Sequence, residues 1–139
     1  MTDLDLAGLS APTLADFERL AEEAYARLPP AFRRMSAGVI IRVEDFPTDA
    51  VLDELGIEDE FDLLGLFQGV GLAQATATGH TGQMPNMVSL YRRPILDYWA
   101  EHEETLGHLV THVLVHEIGH HFGLSDDDME AIEAAADPD

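Results

Sequence analysis

Residues 112–126 read HVLVHEIGHHFGLSD, which is the most informative pattern in the chain. Within it, His116 and His120 are four residues apart, and Glu117 directly follows the first of them. On a helix this spacing places two imidazoles on one face, close enough together to bind one tetrahedral metal ion. The residues before His116 are apolar at helical spacing, which predicts that the whole pattern lies on a helix.

Glu117 lies between the two predicted ligands and does not need to bind the metal itself. From there its carboxylate reaches a metal-bound water, whose pKa zinc lowers, and accepts the proton as that water attacks a carbonyl. Gly123 comes three residues after His120 and lets the chain leave the helix through a left-handed conformation, which brings Asp126 back toward the metal. The sequence therefore predicts a catalytic zinc site with Glu117 as general base. Its predicted ligands are His116, His120 and Asp126.

Several acidic residues are candidates for the third zinc ligand. Three consecutive aspartates, residues 126–128, follow Ser125, which is a suitable N-cap for a last helix. All three would suit the helix dipole in its first turn, but Asp126 alone has the offset from the glycine at which the chain turns back. Glu130 and Glu133 are predicted not to be ligands, because they follow too soon for an independent helix to return to the metal.

The other histidines are predicted to lie outside the ligand set. His108 and His112 continue the four-residue spacing upstream, but 3.6 residues per turn rotates them away, so we expect surface or supporting positions. His121 neighbours a ligand and points about 100° from it, which indicates a structural or rim position. His80 is expected to be an ordinary loop histidine.

Three aromatic residues and one arginine pair have simpler expected roles. Tyr91, Tyr98 and Trp99 are expected to be core or half-buried packing residues. Arg92 and Arg93 are the positive charges of a middle segment that contains no acid, and pairing with surface carboxylates is their expected role. Recognition of a substrate carboxylate is the alternative for this pair.

Composition excludes several functional classes. The 139 residues include 7 basic and 27 acidic side chains, which gives a formal net charge of −20. Such a surface repels phosphate backbones and anionic lipids, so we predict no nucleic-acid or membrane partner. The absence of cysteine excludes disulfides, thiolate zinc clusters and cysteine nucleophiles. Acids and no basic residue occur in the first 14 residues, unlike a secretory leader, and we predict a cytoplasmic protein.

The order of predicted elements indicates one α+β domain spanning residues 1–139, with flexible ends at 1–12 and 137–139. Predicted helices cover residues 13–28 and 48–55, a segment from 94, a longer helix from 104 or 105 to 122, and residues 126–135. Predicted strands cover residues 39–43, 63–68 and 87–92.

The histidine motif and its flanking residues also resemble a motif of known proteins. His-Glu-x-x-His-x-x-Gly-x-x-Asp resembles the extended zinc motif of the metzincin metallopeptidases, with Asp126 where most have a third histidine. The wider chain is similar to a family of small bacterial zincin-like metallopeptidases, which implies a minimal zincin fold with zinc in a cleft below a small sheet. A metzincin-type methionine turn is not expected, because Met129 lies too close to Asp126. The matching stretches are residues 39–47, 62–69, 88–94 and 112–126.

These observations predict a zinc-dependent peptidase that cleaves small or unstructured peptides. Its substrate would lie extended beside an exposed strand edge, provided by residues 63–68 or by residues 87–92. The alternative is a zinc-stabilised binding or regulatory module, because little chain remains to build a walled cleft. Glu117 argues against that alternative, since a closed structural site needs no base. A third hypothesis is an acidic interaction protein in which the motif is accidental.

Overall fold

The structure, a computed structural model, describes residues 6–69 and 86–136. Short 3₁₀ turns occur at Leu6–Gly8 and Glu60–Asp62. The order of elements confirms the predicted α+β class. In these residues the helices and strands are α1 (Leu14–Ala26), α2 (Pro30–Met35), β1 (Ile40–Glu44), α3 (Asp49–Leu55), β2 (Gly65–Gln68), β3 (Met87–Tyr91), α4 (Arg92–Ala100), α5 (Leu106–His121) and α6 (Asp126–Ala136).

The three strands form one mixed sheet with β3 in the centre. β1 pairs with β3 in parallel, and Ile41 lies opposite Val88. β2 pairs with the other side of β3 in antiparallel orientation, with Phe67 opposite the same valine. β3 is buried over most of its length, as expected for a central strand, and β1 and β2 are the outer strands of the sheet formed by residues 6–69 and 86–136.

Helix α5 is the centre of the fold. It packs against β2 and β3 and also contacts α1, α4 and α6. Of the two predicted starting positions, 104 and 105, Thr105 is the N-cap, and the threonine side chain accepts a hydrogen bond from the His108 N–H at 3.1 Å. The helix ends at His121, and Gly123 follows in the left-handed conformation with φ of 79°. The helix buries Leu109, Val110, Val113, Leu114, Val115, Ile118 and Gly119.

The structure differs from the predicted elements mainly at their ends. The Pro29-Pro30 pair ends the first helix as expected, but Pro30 also begins α2, which the sequence analysis missed. Proline suits the first position of a helix because its missing N–H has no intrahelical partner there. The strand expected from Leu63 begins at Gly65, and the helix expected from Pro94 already begins at Arg92.

Two glycines allow close packing on α5. A Cβ atom on Gly65 of β2 would lie 2.6 Å from Val113 Cγ1, and one on Gly119 would lie 2.6 Å from the sulfur of Met129 on α6. Contacts this short would force a neighbour to move. β2 and α6 therefore pack against opposite flanks of α5 at distances that only glycine allows at positions 65 and 119.

Candidate metal centre

Three histidines follow one another along α5 at successive turns. The ring centroids of His112 and His116 are 4.0 Å apart, and those of His116 and His120 are 5.7 Å apart at an interplanar angle of 87°. Two imidazoles that share a tetrahedral zinc ion have centroids about 5 Å apart, because each nitrogen lies about 2.1 Å from the metal. The spacing of His116 and His120 is close to this value, but His116 Nε2 faces Glu133, and the structure does not bring the ligand atoms of the predicted set, His116, His120 and Asp126, within 4.8 Å of one another.

Asp126 begins α6 and lines the same open groove as His116, a space of about 520 Å³. Its neighbour Asp128 has a different role. The Asp128 carboxylate accepts a hydrogen bond from the Ser125 N–H at 3.2 Å, and Ser125 Oγ accepts one from the Asp128 N–H at 3.1 Å. This reciprocal pair is a capping box, which occupies Asp128 at the helix end and leaves Asp126 beside the groove.

The structure corrects the expectation that Glu133 follows too soon to return to the histidines. One carboxylate oxygen of Glu133 lies 3.1 Å from His116 Nε2, and the other lies 2.8 Å from His112 Nδ1. The return is possible because the left-handed turn at Gly123 reverses the chain and Gly119 lets α6 pack closely on α5. The spacing of the histidines could have suggested such a partner, but no local pattern fixes the angle of α6.

His116 consequently belongs to two candidate ligand sets. The predicted set pairs it with His120 and Asp126. In the second set, the nearest ligand atoms of His112, His116 and Glu133 all lie within 4.8 Å of one another. Two imidazoles and a carboxylate are ligands that zinc commonly takes in proteins, so both sets are chemically suited to the metal.

Glu117 lies on the opposite flank of α5, toward β2. Burial raises the pKa of its carboxyl group above the usual value, while the nearby His120 and a hydrogen bond from the Phe67 backbone partly oppose this rise. Gly65 contributes to this environment, because a Cβ at that position would lie 3.5 Å from Glu117 Cγ. A carboxylate whose pKa is raised toward neutrality is suited to accepting and returning a proton.

The edge of β2 next to Glu117 faces away from β3, and no other strand of the described residues pairs with it. The Tyr91 N–H donates to the Leu64 carbonyl at 3.0 Å, so alternate residues from Leu64 onward bond to β3. The backbone groups of Gly65 and Phe67 therefore point away from β3, in agreement with the hydrogen bond from Phe67 to Glu117. His121 stacks on the Phe67 ring with centroids 3.9 Å apart, which places it at the rim of this edge.

Two of the three aromatic residues predicted to pack in or near the core do so. Tyr91 is buried, and Trp99 is half-buried, with its indole N–H donating to the Glu104 carbonyl at 2.9 Å. Tyr98 corrects the packing prediction, because it is 38% exposed and its ring stacks on His102.

Arg92 and His108, which lie outside the centre, each have a carboxylate partner. Arg92 forms a salt bridge with Asp45 at 3.0 Å, the role expected from pairing with a surface carboxylate. Nδ1 of His108 lies 3.3 Å from the carboxylate of Glu104, so His108 occupies a surface position beside the groove. His80 lies outside the described residues.

Comparison with known families identifies the family of the chain. A family model described as zincin-like metallopeptidase matches residues 36–136, which include all three strands and both helices of the candidate centre. The chain belongs to this family. Membership of the zincin-like family indicates a metal-dependent hydrolase that acts on peptides or proteins, and zinc is the metal it implies. No curated protein shows significant similarity to the chain.

Among residues 6–69 and 86–136, none of the helices has both the length and the apolar character required to cross a bilayer.

Proposed function

We propose that this zincin-like protein is a zinc-dependent peptidase with Glu117 as its general base. The supporting observation is the position of Glu117, which lies one residue from His116, is desolvated and has a raised pKa. A base whose pKa lies closer to the working pH transfers protons more effectively in both directions. The proposed zinc ligands are His116, His120 and Asp126.

In the proposed reaction, zinc and Glu117 have separate roles. When bound, zinc acidifies a water molecule and polarises the scissile carbonyl of the substrate. Glu117 accepts the proton of the attacking water and delivers it to the leaving amine, so the carboxylate returns to its starting state. The Phe67 backbone lies close enough to lower the pKa of this carboxyl group, so Glu117 is on the β2 side of α5, where it can act on a substrate lying against the strand.

For the substrate, we propose the edge of β2 as the docking strand. Of the two segments considered from sequence, β3 is paired on both sides, whereas the outer edge of β2 lies beside Glu117. An extended peptide that adds to this edge would pair with the outward backbone groups of Gly65 and with the outward carbonyl of Phe67, whose N–H is directed at Glu117. This geometry favours unstructured peptides, because a folded segment presents no free strand.

A zinc-stabilised binding module is the second candidate function. It is favoured by the second ligand set, since His112 and Glu133 supply additional ligands that could complete a closed site. Structural zinc sites have four protein ligands and no open position, whereas catalytic sites keep one position for water. The number of protein ligands on the metal therefore distinguishes the two functions.

The test begins with metal analysis of protein purified without chelator or nickel resin, followed by mass spectrometry of an unstructured peptide library. We expect one zinc ion per chain and cleavage that stops with a chelator and returns with added zinc. Zinc-loaded protein that cleaves no peptide would favour the binding module. Protein without zinc that still cleaves would contradict the proposed mechanism.

A further inference from the structure

The carboxylate of Glu133 has an environment that the proposed reaction does not use. Its side chain is only 11% exposed, and among the described residues its hydrogen-bond partners are the imidazoles of His112 and His116. A largely enclosed carboxylate requires cationic or hydrogen-bonding partners to offset its lost hydration. Two imidazoles meeting one carboxylate also form a typical set of metal ligands.

The spacing of these groups is close to that of a metal coordination shell. In tetrahedral zinc sites with nitrogen and oxygen ligands, the ligand atoms lie about 3.3 Å from one another. The two contacts of Glu133 measure 2.8 and 3.1 Å, and all three ligand atoms lie within 4.8 Å. His112 is 49% exposed, so its ring can turn at the surface without disturbing the core.

We propose that His112, His116 and Glu133 form a second zinc site, which shares His116 with the catalytic set. The two sites exclude each other, because a neutral imidazole has a single lone pair for a metal. One zinc ion per chain would therefore occupy either site. This inference rests on the proposed function for the catalytic set, but the second site itself is carried by the contacts of Glu133.

An ion in the second site would be held in an inactive position. The groove that contains this site is lined by residues of α5 and α6, and Glu117 is not among them. Glu117 instead contacts the backbone of β2 on the other flank of α5. The second site therefore retains zinc away from the base, and loss of this site should leave more of the bound zinc in the active position.

The experiment is a double-mutant cycle read by zinc affinity, measured by competition with a chromophoric chelator. His120→Ala removes the catalytic set and should leave a measurable zinc site. Adding Glu133→Gln in that background should weaken zinc binding at least about tenfold, while Glu133→Gln alone should change affinity less than about threefold. Glu130→Gln is the matched control, because Glu130 lines the same groove and lies outside the ligand set.

Two outcomes would overturn the proposal. If His120→Ala binds zinc no better than His116→Ala, no second site exists. If Glu133→Gln weakens binding equally in both backgrounds, Glu133 only positions His116. His112→Ala in the His120→Ala background repeats the test at an exposed side chain, and circular dichroism checks the fold of every variant. Because affinity is measured without substrate, these results stand apart from any failure of peptide cleavage.

Discussion

Glu117 and Glu133 lie on opposite flanks of the same row of histidines, and their surroundings differ. Glu117 is desolvated against β2, where a backbone hydrogen bond from Phe67 only partly offsets the rise of its pKa. Glu133 reaches the row from α6 and contacts two imidazoles within 3.1 Å. The same functional group is thus suited to proton transfer on one flank and to holding a cation on the other.

The largest expected effect is on the rate of peptide cleavage, which should fall when Glu117 is replaced but not when Glu133 is replaced. Glu117→Gln should keep the fold and the zinc but lower peptide cleavage by about 10²- to 10⁴-fold, because an amide cannot accept the proton of water. Glu133→Gln should retain most of the cleavage activity at saturating zinc. Steady-state rates on one peptide, with zinc content measured in the same samples, test both expectations. Cleavage that survives in Glu117→Gln would exclude Glu117 as the base.

The next comparison concerns the aspartates at the start of α6. Asp126→Ala should weaken zinc binding at least about tenfold, because it removes a proposed ligand. Asp127→Ala is the matched control and should cost only about 0.3–1 kcal/mol of stability through the helix dipole. Asp128 is a poorer control, because its loss also breaks the capping box with Ser125. Chelator competition that finds equal affinities for the two alanine variants would reject Asp126 as a ligand.

A smaller effect is expected from the packing that brings Glu133 to the histidines. Gly119→Ala should destabilise the protein by about 1–3 kcal/mol, because its Cβ would collide with the buried side chain of Met129. Gly107→Ala in the same helix meets no atom within 4 Å and should gain up to about 1 kcal/mol from helix propensity. Urea unfolding of both variants measures the difference, and equal free energies of unfolding would contradict the close contact.

The smallest effect concerns a carboxylate that is fully exposed. Hydrogen bonds from the backbone and side chain of Thr13 hold the pKa of Asp16 below its usual value, with Arg19 adding a weaker effect. Ionised Asp16 therefore stabilises α1 above the unfolded pKa near 3.8, and this contribution disappears as pH falls through the lower folded pKa. The stability difference between wild type and Asp16→Asn should shrink between pH 7 and pH values of about 2–3. A pH-independent difference would contradict it.

Local patterns predicted the parts of the fold that depend on neighbours in sequence. The helices predicted from residues 13, 48 and 104 or 105 begin directly after a threonine N-cap, namely Thr13, Thr48 and Thr105. Gly56 and Gly123 adopt the left-handed conformation where the helices end. Each of these assignments needs only a few consecutive residues. The histidine pair of α5 could be placed for the same reason, since a helix fixes the positions of residues four apart.

The features that the sequence analysis missed depend on packing between elements. The contact of Glu133 with His116 requires α6 to lie against α5 at one distance and angle, which the fit of Met129 onto Gly119 helps to set. Similarly, the exposure of Tyr98 depends on which face of α4 is covered by neighbouring elements. Hydrophobic periodicity identifies a helix but does not determine the angle at which two helices pack.

The reversal of the chain at Gly123 keeps the loop between His116 and Glu133 short, which lowers the entropic cost of their contact. Glu133 and His116 are 17 residues apart in sequence, whereas Glu117 and the Phe67 backbone are separated by about 50. Loop-closure entropy grows with the logarithm of length, so the second contact costs about 1 kcal/mol more to close. The contact between Glu133 and His116 can therefore form within the α5–α6 hairpin, while the base depends on a strand from a distant part of the chain. Partial denaturation should therefore release Glu117 from β2 before it separates α6 from α5.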